Sequence, residues 1–279
     1  MRALTGGVAG GPVGELRTLG LLVRAGFRRE TTYTAAMFAG LFTNVVFGFI
    51  RSAILLAAVA AAGGTLAGYD AGSVGAYVWL SQGLIGAVTL TGTAEIAERV
   101  RTGDVAVDFV RPVDVQLAHL ATDLGRAAYT TIPRGLPSVA VGALTVGLVM
   151  PAQVLPYVLG ALSVVLAVTL SFLVRFAVNL VGFWVVETRG ITTLFTVAYG
   201  FLSGLYVPVH LFPGWLGVVA TATPFPSILQ SPIDVLSGRV LDGDAVRVLL
   251  VQVGWVAAAA LLGQVLLRAG RRKLEVQGG

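Results

Sequence analysis

Long apolar runs separated by short polar segments dominate this chain. Six of them read as membrane helices: residues 33–60, 74–93, 135–150, 157–186, 191–207 and 245–267. A helix needs roughly 20 apolar residues to cross a bilayer, and these runs are continuous. Strands of a membrane β-barrel would alternate over about 10 residues instead. The pattern therefore predicts an all-α membrane protein with six transmembrane helices.

The polar segments add detail. Residues 1–13 are rich in glycine and expected to be disordered. In residues 14–30, Leu16, Leu19, Val23 and Phe27 fall on one helical face, and Arg17, Arg24 and Arg28 fall on another. That spacing predicts an N-terminal amphipathic interfacial helix on the inner membrane surface. Pro208, Pro213, Pro224 and Pro226 punctuate residues 208–244. Within that segment, 211–222 is apolar but too short to cross. A re-entrant or interfacial helix near the outer surface is expected there, with Phe212, Trp215 and Phe225 as candidates for an outer gate. An ordinary loop packed on the bundle is the competing reading. The chain then divides into an N-terminal segment 1–32, a transmembrane domain 33–267 and a tail 268–279.

Composition agrees with the pattern. Only 12% of the 279 residues are charged and 56% are hydrophobic, with a mean hydropathy of +0.86, whereas a soluble domain is about 25% charged. The net charge of +5 does not indicate nucleic acid, because the arginines flank apolar runs as topology signals do. With the N-terminus placed inside, only Arg239 and Arg247 fall in outer segments, and Arg51 and Arg175 fall within spans. Every other basic residue lies inside, so both termini and residues 95–134 are expected to be cytoplasmic. The membrane expected is the bacterial cytoplasmic membrane.

Several chemistries are excluded. There is no cysteine, so disulfides and thiolate sites are out. His119 and His210 are the two histidines and sit on opposite sides of the expected membrane, so they cannot share a metal. No G-x-S-x-G elbow occurs. A Walker A loop needs a lysine, and Lys273 lacks the glycine frame. ATP hydrolysis by that mechanism must come from another subunit.

Ionisable and polar residues within spans are candidate functional positions. Arg51 and Arg175 are expected to snorkel or to pair structurally, with substrate contact as the competing role. Asn44, Gln82, Thr89 and Asn179 could line a polar path, or hold helices together by hydrogen bonds. The substrate-path candidates are Asn44, Gln82, Arg175, Asn179, Thr196 and Tyr199. No carboxylate lies deep in a span, which argues against a proton-coupled carrier or ion channel.

The longest polar stretch is 95–134, AEIAERVRTGDVAVDFVRPVDVQLAHLATDLGRAAYTTIPR with its preceding alanine. Glu95, Glu98 and Arg99 are expected to end the second span as a helix leaving the membrane. Gly103 supplies a turn, Val105, Val107 and Phe109 alternate, and Pro112 is expected to start a new helix. Val113, Leu117, Leu120 and Leu124 form its stripe. An acidic tip with apolar knobs suits a groove on a partner. A solvated loop is the alternative.

At this point the chain resembles a family. RTGDVAVDFVRPVDVQLAHL (101–120), the Pro-punctuated FLSGLYVPVHLFPGWLGVVATATPFPSILQSPIDVLSG (201–238) and the six-span layout are similar to membrane permeases of type 2 ABC exporters. The resemblance implies two permeases, identical or different, resting on nucleotide-binding ATPase subunits that hold ATP and Mg. No cofactor is expected on this chain itself. It also implies that the element after the second span is a cytoplasmic coupling helix, with Glu98, Arg101, Asp104, Asp108, Phe109 and Arg111 at the ATPase interface. A hydrophobic or amphipathic small molecule, of drug or antibiotic class, is expected to leave through the dimer interface, within membrane lipid. The outer segment 211–230 is expected to be a re-entrant helical pair.

Overall fold

The structure is a computed structural model that describes residues 12–88, 95–185 and 187–277. Every regular element among them is helical; the one β-bridge joins Leu66 and Tyr69. The expected disorder of residues 1–11 and the end of the second span at 89–93, including Thr89, fall outside the described residues.

Among the described residues, three helices are long and apolar enough to cross a membrane: Thr34–Ala61, Leu155–Phe183 with its terminal 3₁₀ turn, and Asp242–Lys273. They correspond to the first, fourth and sixth runs of the sequence. In chain order, α1 is Pro12–Glu30, α2 Thr34–Ala61 and α3 Ala71–Leu84. Next come α4 (Glu95–Thr102), α5 (Val105–Phe109), α6 (Val115–Thr130) and α7 (Leu136–Thr145). The series closes with α8 (Leu155–Leu180), α9 (Arg189–Leu202), α10 (Gly214–Thr221), α11 (Gln230–Leu236) and α12 (Asp242–Gln277).

The centre of one half is α3, buried on all sides from Val74 to Leu84. Asp70 starts it: Ser73 N donates to Asp70 Oδ1 at 2.8 Å and Asp70 N donates to Ser73 Oγ at 2.9 Å. This reciprocal cap satisfies two otherwise orphaned donors. Asn44, Gly48, Ser52, Leu55 and Val59 repeat at helical spacing on α2 and form its buried face, toward α3. The Trp79 ring, fully buried, lies between two glycines. A Cβ added to Gly48 would sit 2.7 Å from the ring, and one added to Gly142 only 2.1 Å. Small residues on α2 and α7 thus make room for the largest side chain of α3.

The other half is built on α8, against which α11 and α12 pack. Ser163 Oγ donates to Gln252 Oε1 at 2.8 Å, and Gln252 Nε2 donates to Ser227 O at 2.8 Å. Gln252 thus ties α12 to α8 and to the segment between α10 and α11.

The third run starts near the expected position, with Pro137 in the first turn of α7, but no break precedes it. Instead α6, a π turn over Thr131–Gly135 and α7 follow one another without interruption. Leu136 N reaches back to Thr131 O, the five-residue spacing of a π turn. The wider turn lets Pro133 and Pro137 sit inside a helix that a regular ladder would have lost there. The new helix also starts at Val115, capped by Asp114 rather than opened by Pro112; Leu117 N donates to Asp114 Oδ1 at 3.0 Å.

The N-terminal amphipathic helix is α1, and it packs along α6. A Cβ on Gly26 would fall 2.0 Å from Thr122 O, and one on Gly125 1.9 Å from Val23 O. The two backbones touch through these glycines. Phe27 then meets Tyr129 edge to face at 5.2 Å.

Candidate coupling interface

Residues 95–114 form two short helices and the turn into α6, and α4 packs on α8; this segment is the candidate protrusion. Gly103, at φ +82°, turns the chain between α4 and α5, and no atom lies within 4 Å of the Cβ it lacks. Conformation alone calls for glycine at this position. The expected alternation over Val105–Phe109 is instead one helical turn, α5.

One carboxylate holds the protrusion closed. Arg99 Nε and Nη2 both donate to Asp108, the latter at 2.9 Å to Oδ1. Arg99 Nη2 also donates to Asp104 O at 3.1 Å, and Arg111 Nη1 approaches Asp108 Oδ1 at 3.3 Å. The two-point guanidinium–carboxylate geometry is the strong form of such a pair. Asp108 is only 6% exposed, so it shapes the protrusion from within. Val105 faces the core as well. The outward surface includes Glu98, Asp104, Arg111 and the large apolar side chains Val107, at 54% exposure, and Val110, at 82%. The backbone of Arg101 belongs to α4, and its side chain lies outside the described residues.

Two links attach this protrusion to the last helix. The Arg271 guanidinium lies 5.6 Å from the Phe109 ring centre, within cation–π range. Gln264 Nε2 donates to Asp114 Oδ2 at 3.0 Å. Between the 95–114 segment, α1 and α6 lies a half-open pocket of about 470 Å³ lined by Leu22, Arg29, Arg99, Arg111, His119 and Thr122 among others.

A third link runs into the bundle. Asp123 Oδ1 accepts from Arg126 Nε at 2.8 Å and from Arg175 Nη2 at 2.8 Å. Arg126 also donates to Gly86 O and Ala87 O, each at 2.9 Å, and so satisfies carbonyls just beyond α3. Arg175 is therefore paired structurally, one of the two bland roles expected of it. The sequence offers the Asp123–Arg126 spacing, but nothing in it joins Asp123 to a residue 52 positions later. The roles of Gln264 and Arg271 were likewise missed.

The substrate-path candidates fall in two clusters. In the first, Asn44 Nδ2 donates to Gln82 O at 2.9 Å, and Arg134 Nη2 donates to Asn44 Oδ1 at 2.8 Å. In the second, Asn179 Nδ2 donates to Arg175 O at 2.7 Å, and Tyr199 OH meets Ser171 Oγ at 3.4 Å. Asn44, Gln82, Arg175, Asn179 and Tyr199 are buried. Thr196, half-buried, donates back to Thr192 O at 2.8 Å.

The gate candidates divide too. Phe225 stacks on Tyr199 at 5.7 Å and meets Phe195 at 5.9 Å, which joins it to the second cluster. Trp215 is 70% exposed, and Phe212 is half-buried just after a 3₁₀ turn, Val209–Leu211. The segment 208–244 is anchored by polar bonds. His210 Nε2 and Asp234 Oδ2 lie 2.9 Å apart, and Gln230 Nε2 donates to Asp234 Oδ1 at 2.8 Å. Tyr77 OH donates to Gly204 O and lies 3.0 Å from Gln230 Oε1. Arg239 stacks 4.0 Å over Tyr69. Burial, followed by the nearby Asp234, pushes the Tyr69 phenol upward in pKa, so it stays protonated and available as a partner.

Two comparisons bear on identity. A family model described as "ABC-2 family transporter protein" matches residues 47–278, most of the chain. No curated protein matches the chain.

Proposed function

The chain belongs to the ABC-2 family of transporter membrane proteins, and from that premise we propose that it is the permease subunit of an ATP-driven exporter. A separate nucleotide-binding subunit hydrolyses ATP with Mg, and two permeases pair in the bacterial cytoplasmic membrane. Each has six spans, with both termini cytoplasmic. A hydrophobic or amphipathic small molecule of drug or antibiotic class is moved outward.

The observation that carries this reading is the protrusion of α4 and α5. It presents Val107 and Val110 next to Arg111 on a surface closed from within by Asp108. An apolar tip with a charged rim suits a groove on a soluble partner. The tip is also bonded to what must move. Phe109 and Asp114 reach α12, and Asp123 reaches α8. Displacement of the tip by a closing ATPase pair would reach the spans through these three contacts. Glu98 and Asp104 supply acidic rim contacts, with Arg101 as a further interface residue. Asn44, Gln82, Arg175, Asn179, Thr196 and Tyr199 serve the path when the buried clusters open, and Phe212, Trp215 and Phe225 gate its outer end. The segment holding α10 and α11 acts as the re-entrant pair.

The test is co-purification. Expressed with its nucleotide-binding subunit, the chain should retain that subunit through affinity purification and show ATP hydrolysis that depends on both. Solute movement by the purified chain alone, driven only by an ion gradient, would overturn the reading.

A further inference from the structure

The α2–α3 seam carries a cation whose strongest binding edge has no partner. Arg51 lies on the α2 face that also bears Asn44, Gly48, Ser52 and Leu55. Its Nη1 donates to Ser81 Oγ at 2.7 Å. With the Gln82 amide turned so that its oxygen meets donors, Gln82 accepts from the same Nη1 at 3.0 Å. Both partners are neutral. Nε and Nη2 are buried and bond to nothing. Those two nitrogens form the edge of a guanidinium that grips a carboxylate, sulfate or phosphate at two points.

The neighbourhood offers donors in excess. Ser52 Oγ and Trp79 Nε1 on the same seam are also buried without a partner, as is Nε of Arg134. Arg134 reaches α2 through Asn44, seven residues from Arg51, or about 10 Å along the helix. Neither arginine forms an ion pair among the described residues, and for Arg51, which falls within a span, a guanidinium without an anion is costly. A second copy of α2 or α3 could not supply the anion, since neither helix contains Asp or Glu. Beside Arg51, Phe47, Ile50 and Ile54 stand exposed on α2 and offer an apolar track.

We propose that Arg51 holds the anionic head of an amphipathic acid through its Nε and Nη2, with the acid's tail along Phe47, Ile50 and Ile54. This rests on the permease reading for its purpose, and it narrows the cargo to amphiphiles carrying a carboxylate, sulfate or phosphate. A transported acid and a resident anionic phospholipid share this chemistry.

The probe is spin-labelled stearate, compared with its methyl ester, on the full chain in phosphatidylcholine nanodiscs. Electron paramagnetic resonance reads the label immobilised by protein. Stearate should bind about tenfold or more tighter than the ester, the scale of one hydrogen bond to a charged group. Arg51→Gln should abolish that preference, and Arg51→Lys should keep only part of it. Equal binding of acid and ester by the unaltered protein, which needs no variant to fold, would overturn the proposal. So would an undiminished preference in a folded Arg51→Gln protein. Two further arms separate the sources once the preference is seen. Stimulation of ATP hydrolysis by stearate in the full complex marks a cargo, and displacement of the label by phosphatidylglycerol without stimulation marks a resident lipid. Binding is read on the chain alone, so a complex that fails to assemble would count against the permease reading and leave this measurement intact.

Discussion

Asp123 and Arg175 meet at 2.8 Å where α6 packs against α8, each with a side chain no more than 10% exposed. Arg126 holds the same carboxylate. A buried charge left without its partner costs about 3–5 kcal/mol. Asp123→Asn should therefore lower thermal stability in detergent sharply. Asp123→Leu combined with Arg126→Leu and Arg175→Met, which removes all three charges of the cluster, should recover much of the loss. A triple variant no more stable than Asp123→Asn would show that the cluster is not what joins α6 to α8.

The α1–α6 contact makes a second prediction. Gly125→Ala puts a methyl 1.9 Å from Val23 O, a backbone atom that cannot turn aside. Overpacking of this kind costs about 1–3 kcal/mol, and here it should fall on the docking of α1. The chain has no cysteine, so a pair introduced in α1 and α6 reports cleanly. Crosslinking should drop in Gly125→Ala and persist in Gly20→Ala, where an added Cβ meets no atom within 4 Å.

The cap at Asp70 gives a pH prediction. Hydrogen bonds from the Ser73 backbone, then from its hydroxyl, hold the Asp70 carboxyl below its ordinary pKa. A depressed folded pKa means stability that is complete above the unfolded value, near 4, and that is lost as pH falls through the folded value. Asp70→Ala should cost about 1 kcal/mol at neutral pH. The gap in melting temperature between wild type and Asp70→Ala should close below about pH 4. A gap unchanged down to pH 3 would contradict the cap's ionic character.

Much of this was legible in the sequence, for physical reasons. The runs that became α2, α8 and α12 were evident because burial in lipid asks only for length and apolarity. Gly103 was legible because a positive φ selects glycine. The continuous α6–α7 was not, since the polar stretch was expected to end at Arg134 with a span starting afresh at 135, and a π turn leaves no signature in composition. Contacts between distant residues were also invisible. Asp108 looked like an outward acid, yet Arg99 draws it inside, and Val110 proved the most exposed apolar residue of the tip. Arg51 was seen as a cation in a span, but only the fold shows which of its nitrogens are buried without a partner.

In the proposed complex, Val107 and Val110 carry the ATPase contact. The most direct measurement is ATP hydrolysis by the reconstituted complex bearing Val107→Asp and Val110→Asp together. Both side chains are exposed, so the melting temperature of the permease should be unchanged. The expected result is loss of the nucleotide-binding subunit during purification and at least about a tenfold fall in coupled hydrolysis, the effect of removing about 1.4 kcal/mol of binding or more. A double variant that keeps its subunit and hydrolyses ATP at the wild-type rate would contradict it.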